Sequence, residues 1–362
     1  MVVKLGSSSV TGADGTTNDA LIERICGDIA RCRRAGHRIV VVSSGAIAAG
    51  WSALGGGDPR PTDLAVLQAA SAVGQQRLMR SWQDGFARHG LLAGQVLLAP
   101  LDFAHRQQYL HARGTLFQLL DLGVVPIVNE NDAVADEEIR FGDNDRLAAL
   151  VAHLVGARTL VLLTDAPGLL SADPRFFAEA SLIEEVIDID HRLEAIAGGP
   201  GSSVGSGGMA SKLAAAKIAS WSGVETVIAD ARAVGIVPAV VERAGAPGTV
   251  IRARHQRLPA RKLWIAFALP ASGTVTVDDG ARRALVESGR SLLPSGVIAV
   301  RGDFAEDEAV EVAGPDGSVF AKGLVRYGSR RATQWLGRRT ADLPSDLPAE
   351  LIHRDDLVIL GS

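Results

Sequence analysis

The sequence predicts an α/β protein: an open, mostly parallel sheet sandwiched by helices, followed by a small β-rich module. Three observations point there. Short β-branched runs alternate with helical patterns as far as residue 253, which is the rhythm of strand–helix–strand units. Those runs are apolar on both faces, as strands covered by helices above and below must be. The rhythm then breaks at ARHQRLPARK, residues 253–262, and shorter β-like pieces separated by glycines take over.

In chain order the expected strands are MVVKL, RIVVVS, QVLLA, VVPIV, TLVLLT and ETVIA. Apolar residues at helical spacing place helices between them at 21–34, 63–88, 107–122, 145–155 and 209–221. The basic, proline-containing stretch reads as a linker, so the expected boundaries are a first domain at 1–253, a linker at 254–262, a β-rich module at 263–342 and a tail at 343–362. Within the module WIAFAL, GTVTVD, GVIAVRG, AVEVAG and SVFAKGLVRY all read as β-like.

Length and composition narrow the class. A chain of 362 residues with 47% hydrophobic and 22% charged residues can bury one large and one small core, and is not disordered. Net charge is −4, with 22 Lys+Arg against 27 Asp+Glu in residues 1–253 and 15 against 14 beyond. Neither part is a basic nucleic-acid surface by charge alone. Cys26 and Cys32 are the only cysteines, and no apolar run reaches the roughly 18 residues of a membrane span. A soluble protein of the reducing cytoplasm is expected.

Four segments carry chemistry. Lys4 lies inside VVKLGSS among apolar neighbours, where an unpaired ammonium would cost several kcal/mol. Only five of the 37 basic residues are lysine, so a lysine here suits a compact charge reaching a phosphate. A lysine snorkelling from an edge strand is the other reading. VVVSSGAIAAG follows a strand with two hydroxyls and a glycine and opens a helix, fit either for an anion or for ordinary capping. GSGGMASK runs into a helix like a phosphate loop, though it lacks the Walker A pattern, and a flexible linker with a chance lysine has the same composition. Finally PIVNENDAVADEEIRFGDND crowds carboxylates and carboxamides past the carboxyl end of a strand, where open α/β sheets bind ligands. Capping by Asp143 or Asn144 accounts for one of these residues, not for all.

In this order VVKLGSS, VVVSSGAIAAG, IVNENDAVA, FGDNDRLAALVA, LLTDAPGL and GSGGMASK resemble the glutamate 5-kinases of the amino acid kinase superfamily, over nearly the whole chain. WIAFALPASGTVTVDDGA and GRSLLPSGVIAVRG are similar to the PUA domain that many of them carry. The resemblance implies ATP-dependent phosphorylation of the γ-carboxylate of L-glutamate to γ-glutamyl phosphate, the first step of proline biosynthesis, with Mg2+ accompanying ATP. By motif, Lys4 and Lys212 would flank the transferring group and Asp145 would hold them. Ser44, Asp132 and Asn144 would bind glutamate. ATP would meet Lys4, Thr164, Asp165 and the run Ser206, Gly207, Gly208, Met209, Ala210, Ser211 and Lys212, and no metal ligand from the protein is implied. A homodimer or homotetramer with proline feedback is also implied, and no membrane association. The chain departs from the family at Pro167 and at Leu170, where a tyrosine is usual. For the PUA-like module a stabilising appendage is expected over RNA contact, despite a local patch of Arg330, Arg331, Arg338 and Arg339. The competing readings are a relative acting on aspartate or acetylglutamate, and a non-catalytic RNA-binding or regulatory protein on the same scaffold.

Overall fold

The computed structural model describes residues 1–12, 14–57, 61–99, 102–103, 105–134, 144–174, 176–177, 179–198, 208–243, 248–254, 257–342, 344 and 348–360. The chain divides into two compact units, Met1–Arg257 and Leu258–Ser362.

The first unit is built on eight strands: β1 Val2–Leu5, β2 Val40–Ser43, β3 Ala93–Leu98, β4 Val125–Glu130, β5 Thr159–Thr164, β6 Glu185–Val186, β7 Glu225–Asp230 and β8 Thr249–Ile251. They lie in the order β3-β4-β2-β1-β5-β7-β8-β6. The six from β3 to β7 run parallel, β8 turns antiparallel to β7, and β6 is parallel to β8. After β4 the chain crosses over β1 to form β5 on its other side, so β1 stands at the switch point where such sheets bind ligands beyond the carboxyl ends of their strands.

Alternation along β1 sends Val3 and Leu5 into a core cluster with Ile22, Ile25, Leu78, Trp82 and Phe86, contributed by the helices Asp19–Arg34 and Leu64–Ala87. Lys4 therefore points to the opposite face, toward the helices Asn144–Leu154 and Met209–Trp221. The helix Asp19–Arg34 starts where Asn18 accepts a hydrogen bond from the Leu21 N–H, two residues before the sequence pattern places it. Asp63 caps Leu64–Ala87 in the same way through the Val66 N–H. This long helix crosses the shorter Ala46–Ala53 backbone to backbone. A Cβ on Gly74 would sit 1.7 Å from the Ala46 carbonyl oxygen, and one on Gly50 1.7 Å from that of Ala70.

The second unit is a five-stranded sheet: β9 Gly273–Val277, β10 Val297–Gly302, β11 Ala309–Ala313, β12 Val319–Val325 and β13 Ile352–Ile359, in the order β10-β9-β11-β12-β13. Val275, Val310, Val312, Phe320, Val325 and Ile352 form its core. Two expectations are corrected. WIAFA is not a strand but a wide helical turn over Trp264–Ala268, closed by the Leu269 N–H onto the Trp264 carbonyl, because a short apolar run fits helix and strand equally. The expected tail contains β13, antiparallel to β12 at the sheet edge, and the linker already holds the start of the helix Ala260–Leu263. The polar centre of IHRDDLVI hides this edge strand from a hydrophobicity reading.

Candidate active site

Parallel strands place the ends of β1, β2, β4, β5 and β7 on one edge of the sheet, at Leu5, Ser43, Glu130, Thr164 and Asp230. Lys4 is on the central strand, in register with Val42 of β2 and Leu162 of β5, which rules out the edge-strand reading. It is 2% exposed. Its Nζ pairs with Oδ1 of Asp145, while Nζ of Lys212 lies 3.2 Å from Oδ2 of the same carboxylate. Asp145 is fully buried and Lys212 is 3% exposed. One carboxylate thus takes two ammonium groups, one per oxygen, and carries fewer charges than it gathers.

Local structure explains each position. Asp145 falls in the first turn of Asn144–Leu154, where the positive end of the helix favours a carboxylate. Lys212 is one turn into Met209–Trp221, whose N-cap is Gly208. Ser211 completes the cluster, its Oγ 2.7 Å from Asp145 Oδ2 and 2.9 Å from the Gly208 carbonyl oxygen. Burial by itself would raise the Asp145 carboxyl, but the ammonium groups of Lys4 and Lys212 outweigh it and hold the group below the usual carboxylate range. An anion binding here meets net positive charge and the N–H groups of a helix terminus.

A second polar cluster adjoins it along β2 and β4. Asn144 does not cap its helix; its Nδ2 donates to the Ser43 carbonyl at 2.8 Å and to Asn129 Oδ1 at 2.6 Å. The Ser44 N–H donates to the Leu5 carbonyl, tying the second loop to β1. Gly45 then adopts a left-handed φ of 104° to start Ala46–Ala53. Two buried groups here, Ser44 Oγ and Asn129 Nδ2, have no hydrogen-bond partner among the described residues. Leaving a buried polar atom without a hydrogen bond costs about 1–3 kcal/mol, so both groups are open to a further partner. Asp132, buried just beyond β4, accepts a hydrogen bond from Ser71 Oγ at 2.9 Å. Burial raises its carboxyl to about 6, and the Ser71 hydrogen bond works against that rise.

Thr164 and Asp165 end β5 on the same edge, joined by a 3.1 Å hydrogen bond, with Arg232 donating to the Asp165 carbonyl at 2.9 Å. Asp165 is tied through its carbonyl to Arg232. Behind them Gly168 has φ 158° and no room for a Cβ against Leu182 and Thr249, while Pro167 is exposed and Leu170 half-buried. Of the expected nucleotide residues, Gly208, Met209, Ala210, Ser211 and Lys212 surround the helix start. Ser206 and Gly207 lie outside the described residues, as does Asp143.

Sequence reasoning left Asn129 without a role of its own and missed Ser43, Ser71, Gln75 and Trp82. A serine and a glutamine four apart on the apolar face of a helix were the available signal for Ser71 and Gln75.

Residues 1–230 match the amino acid kinase family, and residues 273–345 match the PUA domain. The chain is 46% identical to the glutamate 5-kinase of Pelobacter propionicus over 364 residues, covering 99% of this chain and 97% of the relative. It is 45% identical to that of Geobacter metallireducens, at 99% and 97% coverage, and 46% identical to that of Mycobacterium ulcerans, at 99% and 96%. A solved isopentenyl phosphate kinase aligns with 69% of this chain and 98% of its own, at 19% identity and a TM-score of 0.49. The chain belongs to the amino acid kinase family, and the three full-length relatives named above are glutamate 5-kinases.

Proposed function

We propose that this protein transfers the terminal phosphoryl group of ATP to the γ-carboxylate of L-glutamate, giving γ-glutamyl phosphate. The observation that carries the reading is the buried Lys4–Asp145–Lys212 cluster at the switch point of the sheet. The acceptor is already ionised at neutral pH, so no general base is needed. Two anions must instead be brought together and their charge screened as the phosphoryl group moves. Lys4 and Lys212 are both buried and supply that screening where a fixed charge acts most strongly. Asp145 sets the spacing of the two ammonium groups and is left without spare charge to repel a phosphate.

Ser44, Asn144 and Asp132 hold glutamate in this reading. Asp132 takes the α-ammonium, and the unpartnered Ser44 Oγ and Asn129 Nδ2 supply hydrogen bonds to carboxylate oxygens. Thr164, Asp165 and the run from Ser206 to Lys212 receive the nucleotide, Ser211 through its place beside Asp145.

Kinases of this family work on ATP with a divalent metal, here Mg2+. Among the described residues no group of three or more His, Cys, Asp or Glu side chains could hold such an ion. Asp145 is already engaged by two ammonium groups. This donor set fits a cation held mainly by phosphate oxygens, with the Thr164 hydroxyl and Asp165 carboxylate as the nearby hard-oxygen donors. Mg2+ bound there supplies charge neutralisation on the phosphates. Proline also presents an α-ammonium, a secondary one, and an α-carboxylate, and would compete at Asp132 and Ser44. A homodimer or homotetramer, with the PUA unit as a stabilising appendage, completes the reading.

The assay is hydroxamate formation from Mg-ATP, hydroxylamine and an amino acid. Glutamate should react; a protein that forms hydroxamate from aspartate or acetylglutamate and none from glutamate would refute the substrate assignment.

A further inference from the structure

Asp132 and Asp145 are both buried carboxylates, but their surroundings differ in kind. Asp145 is matched by two ammonium groups. Among the described residues Asp132 pairs with no basic side chain, and its one hydrogen-bond donor is the neutral Ser71 hydroxyl on Oδ2. A hydroxyl orients a carboxylate without cancelling its charge, which leaves Oδ1 free to meet a cation from outside.

The donor comes from a rigid source. Ser71, Gln75 and Trp82 lie four and seven residues apart on Leu64–Ala87, and so on one helix face. Each donates inward to the ends of β2 and β4: Ser71 to Asp132, Gln75 Nε2 to the Glu130 carbonyl at 3.3 Å, and Trp82 Nε1 to Ser43 Oγ at 3.0 Å. The backbone contact at Gly50 and Gly74 fixes this helix against Ala46–Ala53, which begins two residues after Ser44. One helix therefore references both Ser44 and Asp132.

We propose that Ser71 is a positioning residue for acceptor selection: it fixes the Asp132 carboxylate so that its free oxygen receives the α-ammonium of an amino-acid substrate. The inference rests on the assignment of Asp132 to that ammonium. Ser71 touches neither substrate nor nucleotide and acts through Asp132 alone.

Steady-state kinetics of Ser71→Ala, Asp132→Asn and the double variant test it, with melting temperatures recorded for each. Losing a hydrogen bond to a charged group should raise KM for glutamate about tenfold or more. For Ser71→Ala, KM for ATP and kcat at saturating glutamate should stay within about twofold. In the Asp132→Asn background, Ser71→Ala should add nothing further. Ser71→Cys fills the same space with a weak donor and should share the rise in glutamate KM. A Cys variant with wild-type KM, equal effects on both substrates, or full additivity in the double variant would overturn the role of Ser71. If Asp132→Asn leaves glutamate KM unchanged, the Asp132 assignment itself fails; if Asp132→Asn raises it while Ser71→Ala is silent, only the Ser71 proposal fails.

Discussion

Replacing Asp145 with asparagine probes the cluster with little change in shape. The amide keeps one acceptor for one lysine but turns an NH2 toward the other, removing the negative charge that two buried ammonium groups share. Breaking a buried ion pair in this way costs about 3–5 kcal/mol. At about 2–4 °C per kcal/mol for a domain of this size, melting should fall by on the order of 10 °C. Turnover should drop on the order of a hundredfold, because the ammonium groups lose their spacing. Both are read by a thermal melt and an ADP-release assay on the same preparation. A polyanion supplies the missing counter-charge, so Mg-ATP should raise the melting temperature of the variant more than that of the wild type. A variant that melts and turns over like the wild type, or that gains less from nucleotide, would refute the electrostatic account.

Lys4→Ala and Lys212→Ala should each lower kcat by on the order of a hundredfold or more in the same assay, with circular dichroism unchanged. Burial raises the Asp132 carboxyl to about 6, so it is largely ionised at pH 7 and becomes neutral as pH falls below 6. Glutamate KM should therefore rise about tenfold per unit as pH falls below 6, while the substrate's own side-chain acid, near 4.3, remains ionised. The raised carboxyl also disfavours the empty fold, by an amount that builds up as pH rises from 3.8 to about 6 and is fully present above that, so Asp132→Asn should raise the melting temperature at pH 7.5 even as it weakens glutamate binding. Gly74→Ala should destabilise by about 1–3 kcal/mol or more, since its Cβ meets the Ala46 carbonyl. Gly114→Ala, in the helix Arg106–Asp121 with nothing within 4 Å, should instead stabilise by roughly 0.5–1 kcal/mol in a denaturant titration.

Much of this architecture is legible in the chain because its signals are local. VVKL, VVVS and TLVLLT read as buried parallel strands, and a lysine inside the first demands an anion; the family resemblance, not the residue pattern, points to Asp145, which pairs with it. What remained hidden depends on contacts distant in sequence. Nothing in the order of residues says that Lys4 and Lys212 take opposite oxygens of one carboxylate, or that Asn144 turns away from its own helix to meet Ser43 and Asn129. Ser71, Gln75 and Trp82 read as parts of an amphipathic helix, since their polar atoms acquire meaning only against β2 and β4. β13 escaped for a different reason: an edge strand tolerates charge, so the alternation that marks a buried strand is missing.

The claim on which the account depends is that both lysines meet the transferring phosphoryl group. A crystal structure with glutamate and a non-hydrolysable ATP analogue tests it directly. The account predicts the terminal phosphate within about 3 Å of Nζ of both Lys4 and Lys212, next to the γ-carboxylate. A terminal phosphate bound away from both nitrogens, with the lysines still closed on Asp145, would contradict it.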